Sequence, residues 1–352
     1  MKKLVKIFYF LKYKLRNNLP KKVIDIIPRY SSNKQIKSFQ EQHKSFGELN
    51  PEKTFYVIRR RPPGWGFYSN IFFVLQGLEF AQKNGFIPVV DMENYWIGEL
   101  SSLRKINGTN NAWCYLFNQV SDYSLEEVYK SKNVILSNGS NILGKNNWLT
   151  NRNITFATSH NLLKNAKLII DKYISLNNET SKFVEEIKSK LRWNGDKTLG
   201  VFIRGTPYFQ DIHFPDNTIP KLEFFISEVR SLVLKKSITQ MYVSTEDYRV
   251  YNHICSEFKD ILIIPSIRYD TKEKVMDWQL SQKMTHVDGL VKMNYEKTLP
   301  YLAEINLLIS CVDFIGTFSN ASAFVLAARN LDLGENYLVL QDQSIDIKAE
   351  IT

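Results

Sequence analysis

From Leu199 to Leu340, five short apolar runs are separated by helical patterns, and this alternation limits the possible folds more than any other feature of the chain. Strands are expected at 199–204, 238–244, 261–264, 312–316 and 337–340. Helices are expected at 220–235, opened by Pro220, and at 246–258, 297–309 and 319–330. Strands joined by helical crossovers run parallel, so this half reads as a doubly wound parallel sheet. The stretch from Pro265 to Glu296 interrupts the alternation, and loops of that length carry function or a small inserted helix.

Ligands of open parallel sheets bind beyond the carboxyl ends of the strands, so the residues found there matter most. The run Leu199-Gly-Val-Phe-Ile-Arg204 delivers a cation followed by Gly205, Thr206 and Pro207. A guanidinium beside a glycine suits a phosphate, although an arginine can also close a strand against a neighbouring acid. A second run ends in Ser244, Thr245, Glu246 and Asp247, and another in Gly316, Thr317, Phe318, Ser319 and Asn320. Within one sheet all three ends share a rim. Either hydroxyl set can instead be a helix cap, and Glu246 and Asp247 can be first-turn acids that suit the helix dipole. Asp211 and His213, in a loop rich in Phe and Pro, are candidate bases or a solvated pair.

The first half opens its own unit with a strand at Thr54–Arg59, a turn over 60–70, a helix over Ile71–Lys83 and a strand at 86–91 ending on Asp91. Gly64 and Gly66 let the turn backbone pass close to a ligand or another domain, and Tyr68, Ser69 and Asn70 lead into the helix. Ser124 and Glu127 have capping-box spacing, 133–137 reads as a strand, and 161–176 and 181–192 read as helices. The turn at 194–197 sets a domain boundary. Residues 1–50 are then an N-terminal segment and linker, 51–196 a first domain and 197–352 a second. On a helix, Leu4, Ile7, Phe8, Leu11 and Leu15 align while Lys3, Lys6, Lys12, Lys14 and Arg16 carry charge, the pattern of an interfacial helix on an anionic leaflet or of a packed surface helix.

A chain of 352 residues, 44% hydrophobic and 13% aromatic, holds enough apolar material for two cores. Its net charge of +10 fits anionic partners, but no nucleic-acid-binding motif is present, which leaves phosphorylated small molecules or an anionic membrane face. Cys114, Cys255 and Cys311 are widely spaced in apolar surroundings and read as free thiols of a reducing compartment. The five histidines form no ligand-like pair, so no metal site is expected.

Taken together, Phe202-Ile-Arg-Gly-Thr206, Ser244-Thr-Glu-Asp247 and Gly316-Thr-Phe-Ser-Asn320 resemble, in that order, the three motifs of the fucosyltransferase superfamily. Gly64-Trp-Gly-Phe-Tyr-Ser-Asn70 is similar to its N-terminal glycine loop, and Pro88 to Tyr95 to the strand end beside it. From about residue 54 onward the chain is similar to bacterial surface-polysaccharide glycosyltransferases. The resemblance implies an α/β, GT-B-like fold, with two Rossmann-type domains facing across a cleft behind the basic amphipathic N-terminal segment. It also implies an inverting, metal-independent glycosyltransferase that moves fucose or a related sugar from a GDP-linked donor to a bacterial surface glycan, with no cofactor beyond that co-substrate. Arg204 would hold the diphosphate with Thr317, Ser319 and the amides after them, and Gly205, Thr206, Gly316, Phe318 and Asn320 would also belong to the donor site. Thr245, Glu246 and Asp247 would lie near the nucleoside. Gly64, Gly66, Tyr68, Ser69, Asn70 and Asp91 would face the acceptor, and Asp211, His213, Glu246 or Asp91 would take its proton. At one position the chain departs from the pattern, since Phe202 stands where the family commonly has His. Residues 1–22 would rest on the cytoplasmic face of the inner membrane. Transfer of another activated group onto the same polysaccharides, or a non-catalytic glycan-binding descendant, are the alternatives.

Overall fold

The computed structural model describes residues 41–60, 66–93, 105–139, 154–204, 220–267, 288–341 and 343–348. The basic stripe in residues 1–22 and most of the insertion, residues 268–287, lie outside this set.

Two sheets carry the chain. The first is ordered β1-β4-β2-β3, from β1 (Gln42–Lys44), β2 (Leu49–Ile58), β3 (Ile87–Val90) and β4 (Ser131–Leu136). β2 pairs in parallel with β3 and β4, and β1 runs antiparallel to β4. This corrects the reading of residues up to 50 as linker, because β1 and the start of β2 already belong to the sheet. The polar Gln42, His43 and Lys44 lie on an exposed edge, where pairing needs no apolar alternation.

The second sheet is ordered β10-β9-β8-β5-β6-β7, from β5 (Leu199–Phe202), β6 (Gln240–Ser244), β7 (Leu262–Ile264), β8 (Asp313–Thr317), β9 (Asn336–Val339) and β10 (Ser344–Asp346). All neighbours are parallel except β10 on β9. The chain starts in the middle at β5, winds out through β6 and β7, then returns to the other flank of β5 as β8. This is the doubly wound order expected, and it places a switch of winding direction between β5 and β8.

Strand alternation assigns the covering helices. Leu199, Val201, Met241 and Val243 face α6 (Leu222–Lys236) and α7 (Tyr248–Glu257) through Phe225, Ile226, Val229, Val250 and Ile254. Phe202, Tyr242 and Phe314 face the other way, towards α8 (Asp288–Ser310) and α9 (Asn320–Ala328). α8 begins earlier than the expected 297, because Pro300 sits inside the helix rather than in its first turn.

In the first half, α1 (Phe67–Lys83) follows β2 and is buried on almost every face, so it lacks the polar stripe of a surface helix. It comes close enough to the sheet that a Cβ on Gly77 would lie 2.8 Å from the Ile58 side chain. Beyond it come the single-turn α2 (Leu125–Val128), capped by Ser124 as its spacing predicts, then α3 (Ile154–Thr158), α4 (His160–Tyr173) and α5 (Asn178–Leu191).

One apolar core runs through both halves. The Tyr68 ring of α1 lies 5.1 Å from Phe324 of α9 and 5.2 Å from Tyr301 of α8, and Phe72 also meets Phe324. α4 packs on α9, where Lys164 pairs with Asp332 at 2.9 Å, and α5 packs on α8.

Candidate functional site

Just past the end of β5, two backbone amides tie the chain to the strands on either side of it, at the switch between β5 and β8. The Ile203 amide donates to the Ser244 carbonyl of β6 at 3.0 Å, and the Arg204 amide donates to Thr317 Oγ1 at the end of β8 at 3.1 Å. Arg204 is thereby anchored between the two carboxyl ends, half-buried, at the position where such sheets take their ligands. Gly205, Thr206, Asp211 and His213 lie outside the described residues.

At the end of β8 the chain turns directly into α9. Ser319 is the N-cap of that helix and accepts the Ser322 amide at 3.1 Å, while Ser322 Oγ accepts the Ser319 amide at 2.8 Å and donates to the Thr317 carbonyl at 2.7 Å. The capping box gives Ser319 one of its two expected roles, the helix cap, and an oxygen that accepts there keeps its O–H for donation. The Thr317 oxygen accepts from Arg204, which leaves its O–H as the group able to donate elsewhere. The first turn of the helix also brings the positive end of its dipole to this rim. Gly316 is required by packing, since a Cβ there would meet the Phe314 ring at 2.8 Å.

The end of β6 sorts its three candidates. Asp247 caps α7 by accepting the Arg249 amide at 2.9 Å, and its carboxylate is gripped by the Arg249 side chain at 3.0 and 2.6 Å. Asp247 thus takes the cap role that its sequence position also allows. The same bond holds the Arg249 guanidinium above its ordinary pKa. Thr245 is buried, its Oγ1 accepts the Asp247 amide at 3.3 Å, and it lines a small pocket with Tyr248, Tyr251, Pro265 and Ser266. Glu246 stands half-buried on the same rim.

Sequence reading missed Glu304, which looks like any acid in a helical pattern. It is 0% exposed on α8 and accepts from Ser244 Oγ at 3.0 Å, from the Ile267 amide at 3.2 Å and from Ser266 Oγ. It also missed the buried pair Arg59 and Arg60 at the end of β2. Arg59 joins β2 to β4 through Ser137, its amide reaching Ser137 Oγ at 3.1 Å and its Nε the Ser137 carbonyl. Arg60 stacks 4.4 Å from the Phe73 ring, and burial pushes its pKa down to about 10, so it is still a cation at neutral pH.

The first-half candidates divide similarly. Gly66 is the N-cap residue of α1 and supplies no side-chain cap, while Tyr68, Ser69 and Asn70 are buried in the first turn. Through Tyr68 and Phe324 the structure brings this turn to α9, whose N-terminus borders the Arg204 crevice. Gly64 lies outside the described residues. Asp91 is fully buried and accepts from the Tyr129 hydroxyl and, at 3.0 Å, from the Glu93 amide. Those bonds make it an internal acceptor, which corrects its candidacy as a base open to an acceptor hydroxyl.

Burial raises the thiol pKa of Cys114 to about 11 and of Cys311 to about 12, so both are protonated at neutral pH. Among the described residues no three His, Cys, Asp or Glu side chains group as a metal site, and no helix is long and apolar enough to cross a membrane.

No family model and no curated protein match the chain. Among solved structures it is similar to the fucosyltransferase NodZ from Bradyrhizobium, at 16% identity and a TM-score of 0.45, over 84% of this chain and 99% of that one. A mutant of Arabidopsis thaliana FUT1 in complex with GDP aligns at 11% identity and 0.43, over 95% and 78% of the two chains. POFUT1 in complex with GDP-fucose aligns at 11% and 0.34, over 80% and 71%. At such identities and scores these likenesses carry no argument about what the chain does.

Proposed function

We propose that the chain is a GT-B-type glycosyltransferase that moves fucose or a related sugar from a GDP-linked donor to a bacterial surface glycan, with inversion. The observation that carries this reading is the bond from the Arg204 amide to Thr317 Oγ1, which anchors the arginine at the switch point of the sheet, two residues from the N-cap of α9 on the Thr317 side. Cleavage of a sugar-diphosphate bond builds positive charge on the sugar and negative charge on the leaving phosphate. Arg204, the Thr317 hydroxyl and the amides that open α9 would answer that charge at fixed positions, a type of contribution worth about 3 kcal/mol per group. Glu246 and the Thr245 pocket lie one strand further along, where the nucleoside of a bound donor would fall. The first turn of α1, with Asn70, supports an acceptor side reaching the same rim. Of the candidate bases, Glu246 remains on the rim, and Asp211 and His213 remain from the sequence reading.

A thermal-shift comparison of GDP, UDP, CDP and ADP tests the donor class, since a ligand that binds only the folded state raises its apparent stability. GDP should give the largest shift. If none of the four stabilises the protein, the nucleotide-sugar reading falls.

A further inference from the structure

Glu304 is a fully buried carboxylate that the proposed chemistry does not use, and its bonds reach from its own helix to two other segments of the chain. From the middle of α8 it accepts from Ser244 at the end of β6, and from both Ser266 Oγ and the Ile267 amide in the chain leaving β7. Ser244 is followed directly by Thr245, and Ser266 and Thr245 are two of the five residues lining the small pocket, so each attachment point borders its wall. β7 has only three residues and lies at the sheet edge, so its own ladder holds the exit of the strand weakly. We infer that Glu304 is a positioning residue that ties the carboxyl ends of β6 and β7 to α8 and so shapes the nucleoside end of the donor site, acting through Ser266 and Thr245 rather than on the donor itself. This rests on the donor reading above. A carboxylate is suited to the task because it only accepts and can take several hydrogen bonds at once, whereas a shorter or apolar side chain would leave the Ile267 amide and two hydroxyls without their acceptor.

The test uses the full chain as wild type, Glu304→Ala and Glu304→Gln. GDP and inorganic pyrophosphate serve as separate calorimetric probes, and hydrogen exchange across 262–267 is measured without ligand. Gln keeps an oxygen for Ser266 and Ile267 and can donate to Ser244, so it should restore what Ala loses. Glu304→Ala should weaken GDP by about tenfold or more, the scale of lost hydrogen bonds, with pyrophosphate unchanged and exchange at 262–267 faster. Glu304→Gln should stay near wild type in all three measurements. The inference is overturned if Ala binds GDP as wild type does, if pyrophosphate weakens equally, or if Gln is as weak for GDP as Ala, which would mean that the carboxylate itself meets the ligand. Wild type that binds neither probe would instead remove the donor reading and this inference with it, an outcome distinct from failure in the variants alone.

Discussion

Arg204 and Thr317 show how a single residue pair defines the crevice. Their bond joins positions 113 residues apart, so the Arg204 backbone is held at the switch point only when β5 and β8 are in register. Arg204→Lys keeps the charge but replaces a planar fork by a point charge, and sugar transfer should fall by about 100-fold with the fold intact. Turnover close to wild type in a product assay would take Arg204 out of the site. The neighbouring hydroxyls should separate in the opposite sense to their closeness in sequence. Thr317→Ala removes the acceptor of the Arg204 amide and should weaken GDP by about 1–2 kcal/mol in calorimetry. Ser319→Ala should instead cost about 1 kcal/mol of folding stability through the lost cap, with a smaller effect on GDP. The reverse pattern would mean that the capping box opens for the ligand.

At the scale of elements, the turn from α9 to β9 decides whether β9 can pair beside β8. Gly334 holds φ at +59°, and a Cβ there would lie 1.8 Å from the Val312 carbonyl oxygen. Backbone strain and a clash with a backbone atom coincide, and neither can be relieved by a side-chain rotation. Gly334→Ala should therefore lower stability by about 2–4 kcal/mol, read from the midpoint of urea unfolding. An unchanged midpoint would contradict this account of the turn. The elements themselves were largely legible, since the strands and helices of the second half fall close to their expected ranges. β1 was not, because three polar residues on an edge carry no periodic signal. The first turn of α1 was read as loop because Gly64 and Gly66 precede it, yet burial of Phe67 to Asn70 extends the helix.

For the whole molecule, the shared core joins the two sheets through α1, α4, α8 and α9, so the first turn of α1 and the Arg204 rim are held by one packed body. The basic stripe of residues 1–22 is a separate device in the proposal, an interfacial helix for an anionic membrane. Deleting residues 1–22 should leave GDP binding intact and reduce sedimentation with anionic liposomes. Equal sedimentation of both forms would assign the stripe to packing.

Periodicity and punctuation along the chain by themselves determined the parallel second sheet, the strand ends that form its rim and the position of Arg204, because each is written locally in apolar spacing and in the residue that follows a strand. Only the tertiary structure decided which partners the polar groups on that rim take. Ser319 and Asp247 fit either a cap or a ligand contact in sequence and cap α9 and α7 in the structure, while Glu304 looks like an ordinary helical acid and proves to join three segments. The physical reason is that a side chain's hydrogen-bond partner is set by register and packing between distant segments, which no local pattern encodes.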